Sequence, residues 1–333
     1  MMMKISVALC TYNGEKYIKK QLESILCQSI GVTEIIIMDD CSSDATICII
    51  QEIDQLHPGI IKLFRNEHNI GFLKNFEKAL IECCGDYIFI SDQDDIWYND
   101  KVERVVSYLD KSGMWGVFTN GELIDCNDKK LGRTLFESLN VKKYLSQKVL
   151  YPDLFTMLSL NSNFVTGATL ALSKEAKQVV LPFWTSKNIY HDHFISLKLA
   201  AIGKFSCLND CLISYRIHPS QQIGMGKEGQ IGKSIYDYYQ EAKSSDEKLM
   251  IDFCKFLVFR RLWSCELANV CKLDDDERKL QKERYEQLLF PIMKRMRFKG
   301  KCEIAMRYLY TECIVKSGKF GAVFNFYGKF RKR

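Results

Sequence analysis

Nowhere in these 333 residues is there a run of roughly 20 apolar residues, so a transmembrane helix is not expected. The first residues, MMMKISVALCTYNG, lack the apolar core and small-residue cleavage site of a secretory signal, and the expectation is a cytoplasmic protein. Proline is scarce (5) and glycine modest (19), with no low-complexity tract and no internal repeat, so long disordered linkers are not expected. The fourteen cysteines form no C-x-x-C: Cys83 and Cys84 are adjacent, and Cys207 with Cys211 has no second pair to complete four metal ligands. Without a secretion signal a disulfide framework is not expected either; reduced, mostly buried thiols are.

What is present is ordinary for a globular protein. The chain is 47% apolar and 26% charged, and is long enough for one large domain or a domain with a substantial appendage. The charge is unevenly placed. Residues 291–333 hold twelve Lys or Arg against Glu303 and Glu312, a net +10; with the whole chain at +6, the remainder carries −4. A basic end of this kind points to one partner.

The first hundred residues alternate strand and helix patterns. Ile5–Cys10 is strand-like, and Ile18, Leu22, Ile25 and Leu26 lie at helical spacing within Tyr17–Gln28. Glu34–Met38 is almost wholly apolar, as in a strand buried on both sheet faces. Ser42 and Ser43 are placed to cap a following helix that buries Ile47, Ile50 and Ile53. Ile60–Phe64 and Tyr87–Ile90 read as further strands, with Leu73–Cys83 a helix between them. This order predicts parallel strands joined by crossovers. Beyond Trp97, a helix over Lys101–Lys111, a strand over Gly116–Asn120, a turn at Asn127–Lys130 and strands at 165–173, 204–208 and 212–217 follow in an α+β context. From about residue 230 the pattern is helical. The glycines at 224, 226, 229 and 232 mark the boundary between a domain over 1–228 and a helical, basic region over 229–333.

In open parallel sheets ligands collect beyond the carboxyl ends of the strands. Here those ends deliver Thr11-Tyr12-Asn13-Gly14, then Asp39-Asp40-Cys41-Ser42-Ser43-Asp44, then Ser91-Asp92-Gln93-Asp94-Asp95. Five aspartates crowded at one edge repel one another, and a hard divalent cation such as Mg²⁺ or Mn²⁺ relieves this. In an extended segment Asp92 and Asp94 face the same side. Aspartates in a single loop are more often turn formers; three successive strand ends argue otherwise.

TYNGEKYI, IIIMDDCSSDAT and DYIFISDQDDIW, after the first, second and fourth strands, resemble family 2 glycosyltransferases of the GT-A fold. The spacing from Asn69-Ile70-Gly71 to Gly85-Asp86-Tyr87 is similar as well. The SDQDDIW form, with a later HDH and YRIH, is most similar to bacterial transferases that build surface polysaccharides, many of them rhamnosyltransferases. The resemblance covers about residues 4–225. It implies an α/β fold with a mixed, mainly parallel sheet and a C-terminal helical region. Thr11 and Tyr12 would line the nucleotide pocket with Asn13 and Asp40, Tyr12 lying against the base. Asp39 would accept from the N3–H of uracil or thymine. Asp92 and Asp94 would serve as the Asp-x-Asp element on the ribose and the metal-bound diphosphate, with Asp95 beside the sugar. One departure stands out: where many relatives carry Arg-Asn, this chain has Phe76 and Glu77. Lys74 or Lys78 supplies the missing charge, or simply sits on an exposed helix face.

Transfer needs a base for the acceptor hydroxyl. The resemblance assigns it to Asp192 in Tyr190-His191-Asp192-His193; the plainer alternative is a helix cap worth ~1 kcal/mol. His191 and His193 as a His-x-His metal pair lack a third ligand nearby, and His193 is expected to shape the acceptor pocket. Within Ser214-Tyr215-Arg216-Ile217-His218 the resemblance places Arg216 at the diphosphate and His218 at phosphate or metal, against a solvated arginine at a strand end. Gly167 is expected to let the backbone approach sugar or acceptor closely. Trp97 either covers the donor sugar or caps the core.

The basic C-terminal region, with Phe320, Phe324, Phe326, Tyr327 and Phe330 among lysines, suits contact with an anionic membrane surface, or packs as helices with a solvated basic face. No nucleic-acid recognition motif is visible. The sequence thus predicts an inverting, metal-dependent transfer of one sugar from a nucleotide-diphosphate donor, a UDP- or dTDP-sugar such as dTDP-rhamnose, to a glycan or lipid-linked glycan. It predicts a protein of the cytoplasm or the inner membrane face. The missing spans and the missing Gln-x-x-Arg-Trp argue against a processive synthase. A nucleotidyltransferase should carry a glycine-rich basic loop after the first strand, which TYNGEKY is not. A non-catalytic binding module should have lost the acids, and they are intact.

Overall fold

The computed structural model describes residues 3–146, 153–160, 163–183, 190–219, 221, 242–243, 246–270 and 275–317. The chain divides into two compact units, one of residues 1–143 and 163–230, the other of 144–162 and 231–333. The expected boundary at Gly224–Gly232 lies outside the described residues.

The first unit is built on a mixed sheet. Strands β1 (Ile5–Thr11), β2 (Glu34–Asp39), β3 (Ile61–Arg65) and β4 (Tyr87–Ser91) pair in parallel in the order β3-β2-β1-β4. They are linked by helices α1 (Ile18–Leu26), α2 (Thr46–Leu56) and α3 (Phe72–Glu82). Every residue of β2 is buried, as its apolar run requires. Register does the positioning: Thr11 pairs with Asp39 and Leu9 with Ser91, so three strand ends open on the same edge. The sheet continues through β8 (Leu170–Ser173), β6 (Gly116–Ile124), β9 (Phe205–Arg216) and the two-residue β5 (Ile96–Trp97), with β7 (Lys130–Thr134) on β6. Both neighbours of β8 run antiparallel to it, while β6 and β9 are parallel.

Three local expectations are corrected. The strand foreseen over 165–173 is confined to β8, because Gly167–Thr169 form a 3₁₀ turn before it. The two strands foreseen at 204–208 and 212–217 are one, β9; its pairing with β6 jumps from Leu208 to Cys211, and the unpaired residues form an irregularity resembling a bulge. Ser42 and Ser43 do not cap α2: Asp44 accepts from Thr46 N (3.0 Å), while Ser42 is engaged by Asp39 and Asn13. Helix α4 (Lys101–Ser112) ends on left-handed Gly113 (φ 64°). Short helices α5 (Leu135–Ser138), α6 (Val141–Ser146), α7 (Leu154–Leu160), α8 (Lys174–Val180) and α9 (His191–Ala201) follow.

The second unit contains α7 and three long helices, α10 (Glu247–Val270), α11 (Asp275–Arg295) and α12 (Phe298–Ser317). Phe253, Leu257, Tyr285, Leu289 and Ile304 are among its buried residues. The described cysteines are free thiols, but only Cys83 and Cys254 are buried. Cys27, Cys48 and Cys84 are exposed, since they lie on or just past helices that bury only one face. No described helix is long and apolar enough to cross a membrane.

Candidate active site

The loop after β1 is stitched to the loop after β2. Thr11 Oγ1 donates to Asp39 Oδ1 (2.8 Å), Asn13 N to Ser42 Oγ (2.9 Å), Ser43 N to Asn13 Oδ1 (2.9 Å) and Gly14 N to Thr46 Oγ1 (2.7 Å). Asn13 takes a positive φ of 49° to do so. The loop after β4 grips the same segment: Tyr12 N donates to Gln93 Oε1 (2.9 Å) and Gln93 Nε2 to Tyr12 O (3.0 Å). A Cβ on Gly14 would stand 2.2 Å from Gln93 Oε1, so only glycine admits this clamp.

The acids divide into two groups. Asp39 is fully buried; Thr11 and Ser42 occupy its carboxylate, with Arg65 Nε at 3.7 Å. Asp40 accepts from Asn66 Nδ2 (3.0 Å), Ile70 N (2.8 Å) and Gly71 N (2.9 Å), and so orders the Asn69–Gly71 turn. Both carboxylates hold loops, each accepting three hydrogen bonds from protein donors. The second group is Asp92, Asp94, Asp95 and Asp192. The segment after β4 bends at 93–94 instead of running straight, and the acids still gather. Burial, then the neighbouring Asp94 and Asp192, push Asp92 up to about 7. Burial, then Asp94 and Asp92, push Asp95 well above the ordinary carboxylate range. Asp95 Oδ1 accepts from Arg216 N (2.9 Å), and its other oxygen is buried without a partner.

Asp192 comes to this cluster from a much later helix. It lies in the first turn of α9, whose N-cap position is Tyr190, so the cap alternative does not hold. Its carboxylate takes donors from His193 N (2.6 Å), the Asn163 side chain and Gly167 N, yet burial raises it to about 7. Gly167 leaves room for His191: a Cβ there would lie 2.7 Å from His191 Nε2. His191 is stacked on Phe76 (centroids 4.1 Å apart), and burial holds it neutral, near 3. Phe76, foreseen as a departure from the common pattern, is thus part of the packing behind Asp192. Its neighbour Glu77 accepts from Phe183 N (2.6 Å). His193 is buried as well.

The end of β9 closes the cluster. His218 Nε2 lies 2.8 Å from Asp94 Oδ2, with little exposure on either side chain. Arg216 is wholly buried: Nε donates to Asp94 O (2.7 Å), Nη1 to Asp125 O (3.0 Å) and pairs with Asp128, and the guanidinium stacks on Tyr17. It acts as a tie on the acidic loop, with Nη2 buried and unpartnered. Trp97 is 3% exposed against Phe89, which places it in the core. Lys78 Nζ donates to Asn66 Oδ1 (2.9 Å), and Lys74 is exposed at the start of α3.

Sequence reasoning passed over Lys101. Its Nζ lies 3.9 Å above the Trp97 ring, donates to Ala168 O (3.0 Å) and stands beside Asp95 and Asp92, while burial lowers it to about 7. It joins the acidic loop to the turn that holds Asp192. A signal was present: Lys101, Val105 and Leu109 share the i, i+4, i+8 stripe that α4 buries, an improbable place for a solvated lysine. Gln93, hidden between two aspartates, carried no such mark.

The family model described as Glycosyl transferase family 2 matches residues 6–178. Among curated relatives, an uncharacterized glycosyltransferase of Nostoc sp. is 28% identical over 247 residues, 73% of this chain and 71% of that protein. The dTDP-rhamnosyl transferase RfbG of Shigella flexneri is 37% identical over 123 residues, 36% of this chain and 40% of its own. Among solved structures, the mannosyltransferase PcManGT of Pyrobaculum calidifontis, in complex with GDP-Man and Mn²⁺, is similar in fold with a TM-score of 0.51. It is 14% identical, and the likeness spans 99% of this chain and 83% of that one.

Proposed function

Because the chain belongs to glycosyl transferase family 2 and has its GT-A fold, we propose that it moves one sugar from a nucleotide-diphosphate donor to an acceptor hydroxyl with inversion. The observation that carries this reading is the convergence of Asp92 and Asp94, at the end of β4, with Asp192, at the start of α9. A two-part site of that kind serves direct in-line attack. Asp192 takes the acceptor proton, and a carboxyl raised to about 7 suits a general base working near neutrality. Asn163, Gly167 and His193 hold it in place, and Lys101 keeps the Gly167–Ala168 turn against the acidic loop.

Asp94 and His218 fit a divalent cation: an oxygen and a nitrogen face each other at 2.8 Å on two different elements. Among the described residues no three His, Cys, Asp or Glu converge to hold an ion unaided. Two protein ligands with the remainder from substrate phosphates is the usual arrangement for Mg²⁺. When bound, the ion would neutralise charge on the departing diphosphate. Asp92 and Asp95 complete the acidic wall; Tyr12, fixed at both backbone ends by Gln93, is held for the nucleotide.

The donor is a UDP- or dTDP-sugar, dTDP-rhamnose first, and the acceptor a glycan or lipid-linked glycan of a surface polysaccharide. The dTDP-rhamnosyl transferase among the relatives supports this choice, and the GDP-Man in PcManGT is why a GDP donor is included in the test. We assign the transfer to residues 1–228. The purified chain, given UDP-, dTDP- and GDP-sugars with Mn²⁺, should release nucleoside diphosphate from one donor class, and EDTA should stop the release. Asp94→Ala or His218→Ala should raise the metal concentration needed at least ~10-fold, since losing even a residue that only orients a ligand costs roughly 10–100-fold. A folded protein that neither binds nor cleaves any donor would sink the reading.

A further inference from the structure

In the second unit the turn between α11 and α12 reads Lys294-Arg295-Met296-Arg297-Phe298-Lys299. Met296 is buried in the unit, while Lys294, Arg295, Arg297 and Lys299 are exposed around Phe298, which is 82% exposed. Further along α12, Met306 (66%) and Leu309 (63%) are exposed too. At 100° per residue, Phe298, Met306 and Leu309 fall within a single quadrant of the helix, so they form one stripe and not scattered apolar points. Large apolar side chains laid bare in a row, with cations beside them, call for an occupant.

Charge says which occupant. The two carboxylate side chains of residues 291–333 are both neutralised inside the unit: Glu303 pairs with Lys255 and Arg307, and Glu312 with Arg261 and Lys282. The turn carries exposed cations at Lys294 and Lys299. Arg295 donates to the backbone carbonyls of Ala242 and Lys243, which anchors the turn. Arg297, 90% exposed, lies with Nε 3.5 Å from the half-buried Glu247, which also accepts from Arg297 N (2.8 Å); on the solvent side this ion pair is weak. We propose that this turn and the Phe298–Met306–Leu309 stripe of α12 form a docking surface for an anionic lipid bilayer, with Phe298 inserted at the headgroup boundary. A bulky aromatic among short-range cations matches an interface that is anionic outside and apolar a few ångströms in. The surface consists of described residues, whereas the aromatic cluster at 320–330 first noted in the sequence lies outside them.

The inference stands apart from the reading of the transfer site, and its test keeps the two separable. Sedimentation of the full chain with phosphatidylcholine vesicles, with and without roughly one-third phosphatidylglycerol, should show binding only to the anionic ones, weakened as salt rises from about 0.1 to about 0.5 M. Each basic residue removed near a bilayer costs ~1 kcal/mol, so Arg297→Glu with Lys299→Glu should weaken partitioning at least ~25-fold. Phe298→Ser should weaken it several-fold even at low salt. Nucleoside diphosphate release in solution should be unchanged in both variants, which also shows that they are folded. Partitioning that ignores lipid charge, or variants that bind like the parent, would overturn the proposal. So would vesicle-indifferent protein whose self-association is lost in Phe298→Ser, which would give the face to a second copy of the chain.

Discussion

Replacing Asp192 with asparagine should stabilise the protein while disabling it. Burial raises Asp192 from an ordinary 3.8 to about 7, so in the folded state its charged form is disfavoured by roughly three pH units, worth about 4 kcal/mol. The sign follows from proton binding. Between the unfolded and folded values the native state holds the extra proton, so stability falls as pH rises through that window. The penalty is about 1–2 kcal/mol at pH 5 and reaches its full ~4 kcal/mol above pH 7. A neutral amide at this position carries no such penalty. It keeps one acceptor for the donors His193 N and Gly167 N, but turns its NH₂ toward others, at a cost of ~1–2 kcal/mol. Net, Asp192→Asn should be about 2 kcal/mol more stable than the parent at pH 8, and level with it at pH 5. Urea unfolding of metal-free protein at the two pH values reads this as a shift in midpoint at constant slope. Turnover should meanwhile fall ~10²–10⁴-fold, the usual worth of a general base. A parent whose stability runs parallel to the variant's from pH 5 to pH 8 would refute the buried, raised carboxyl, and full turnover would refute the base.

Two more substitutions probe the scaffold behind Asp192. Lys101→Met removes the donor to Ala168 O and the cation beside Asp95 and Asp92; it should destabilise by about 2–4 kcal/mol, and a urea-midpoint loss below ~1 kcal/mol would contradict its structural tie. Gly167→Ala forces a Cβ against His191, which is stacked on Phe76 and has little room to yield. It should cost about 1–3 kcal/mol and lower kcat more than it raises the donor KM, measured by steady-state kinetics at fixed Mn²⁺.

The parallel half of the sheet was legible because its signals are local. An apolar run such as Glu34–Met38 can be little else than a doubly buried strand, and the acidic loops sit at strand ends by counting alone. What could not be read was which carboxylates protein donors would occupy. Asp39 and Asp40 look like Asp92 and Asp94 in sequence, but partners from residues 11, 42, 66, 70 and 71 engage them, and no spacing rule foretells that. Arg216 is similar: its position at a strand end was evident, whereas its buried contacts to Asp94 O and Asp125 O depend on loops far earlier in the chain. At Gly167, expected to lie close to sugar or acceptor, the structure shows a histidine of the same chain packed against the backbone.

These placements share one physical logic. A site that handles a diphosphate and its metal must collect negative charge, and a fold resists that. The chain separates the tasks: Asp39 and Asp40 are given several donors and hold loops, while burial pushes Asp92, Asp95 and Asp192 upward, with neighbouring carboxylates adding to it at Asp92 and Asp95. Lys101, whose amine burial lowers to about 7, stands beside Asp95 and Asp92 and offsets part of their charge. With a cation's charge held at Asp94 and His218, Asp92 and Asp192 would favour their ionised forms. Asp192, raised to about 7 without the ion, would then be ionised in a larger fraction of molecules near neutrality. On the proposed reading, the stability surrendered at Asp192 is the counterpart of a base tuned to work near neutral pH.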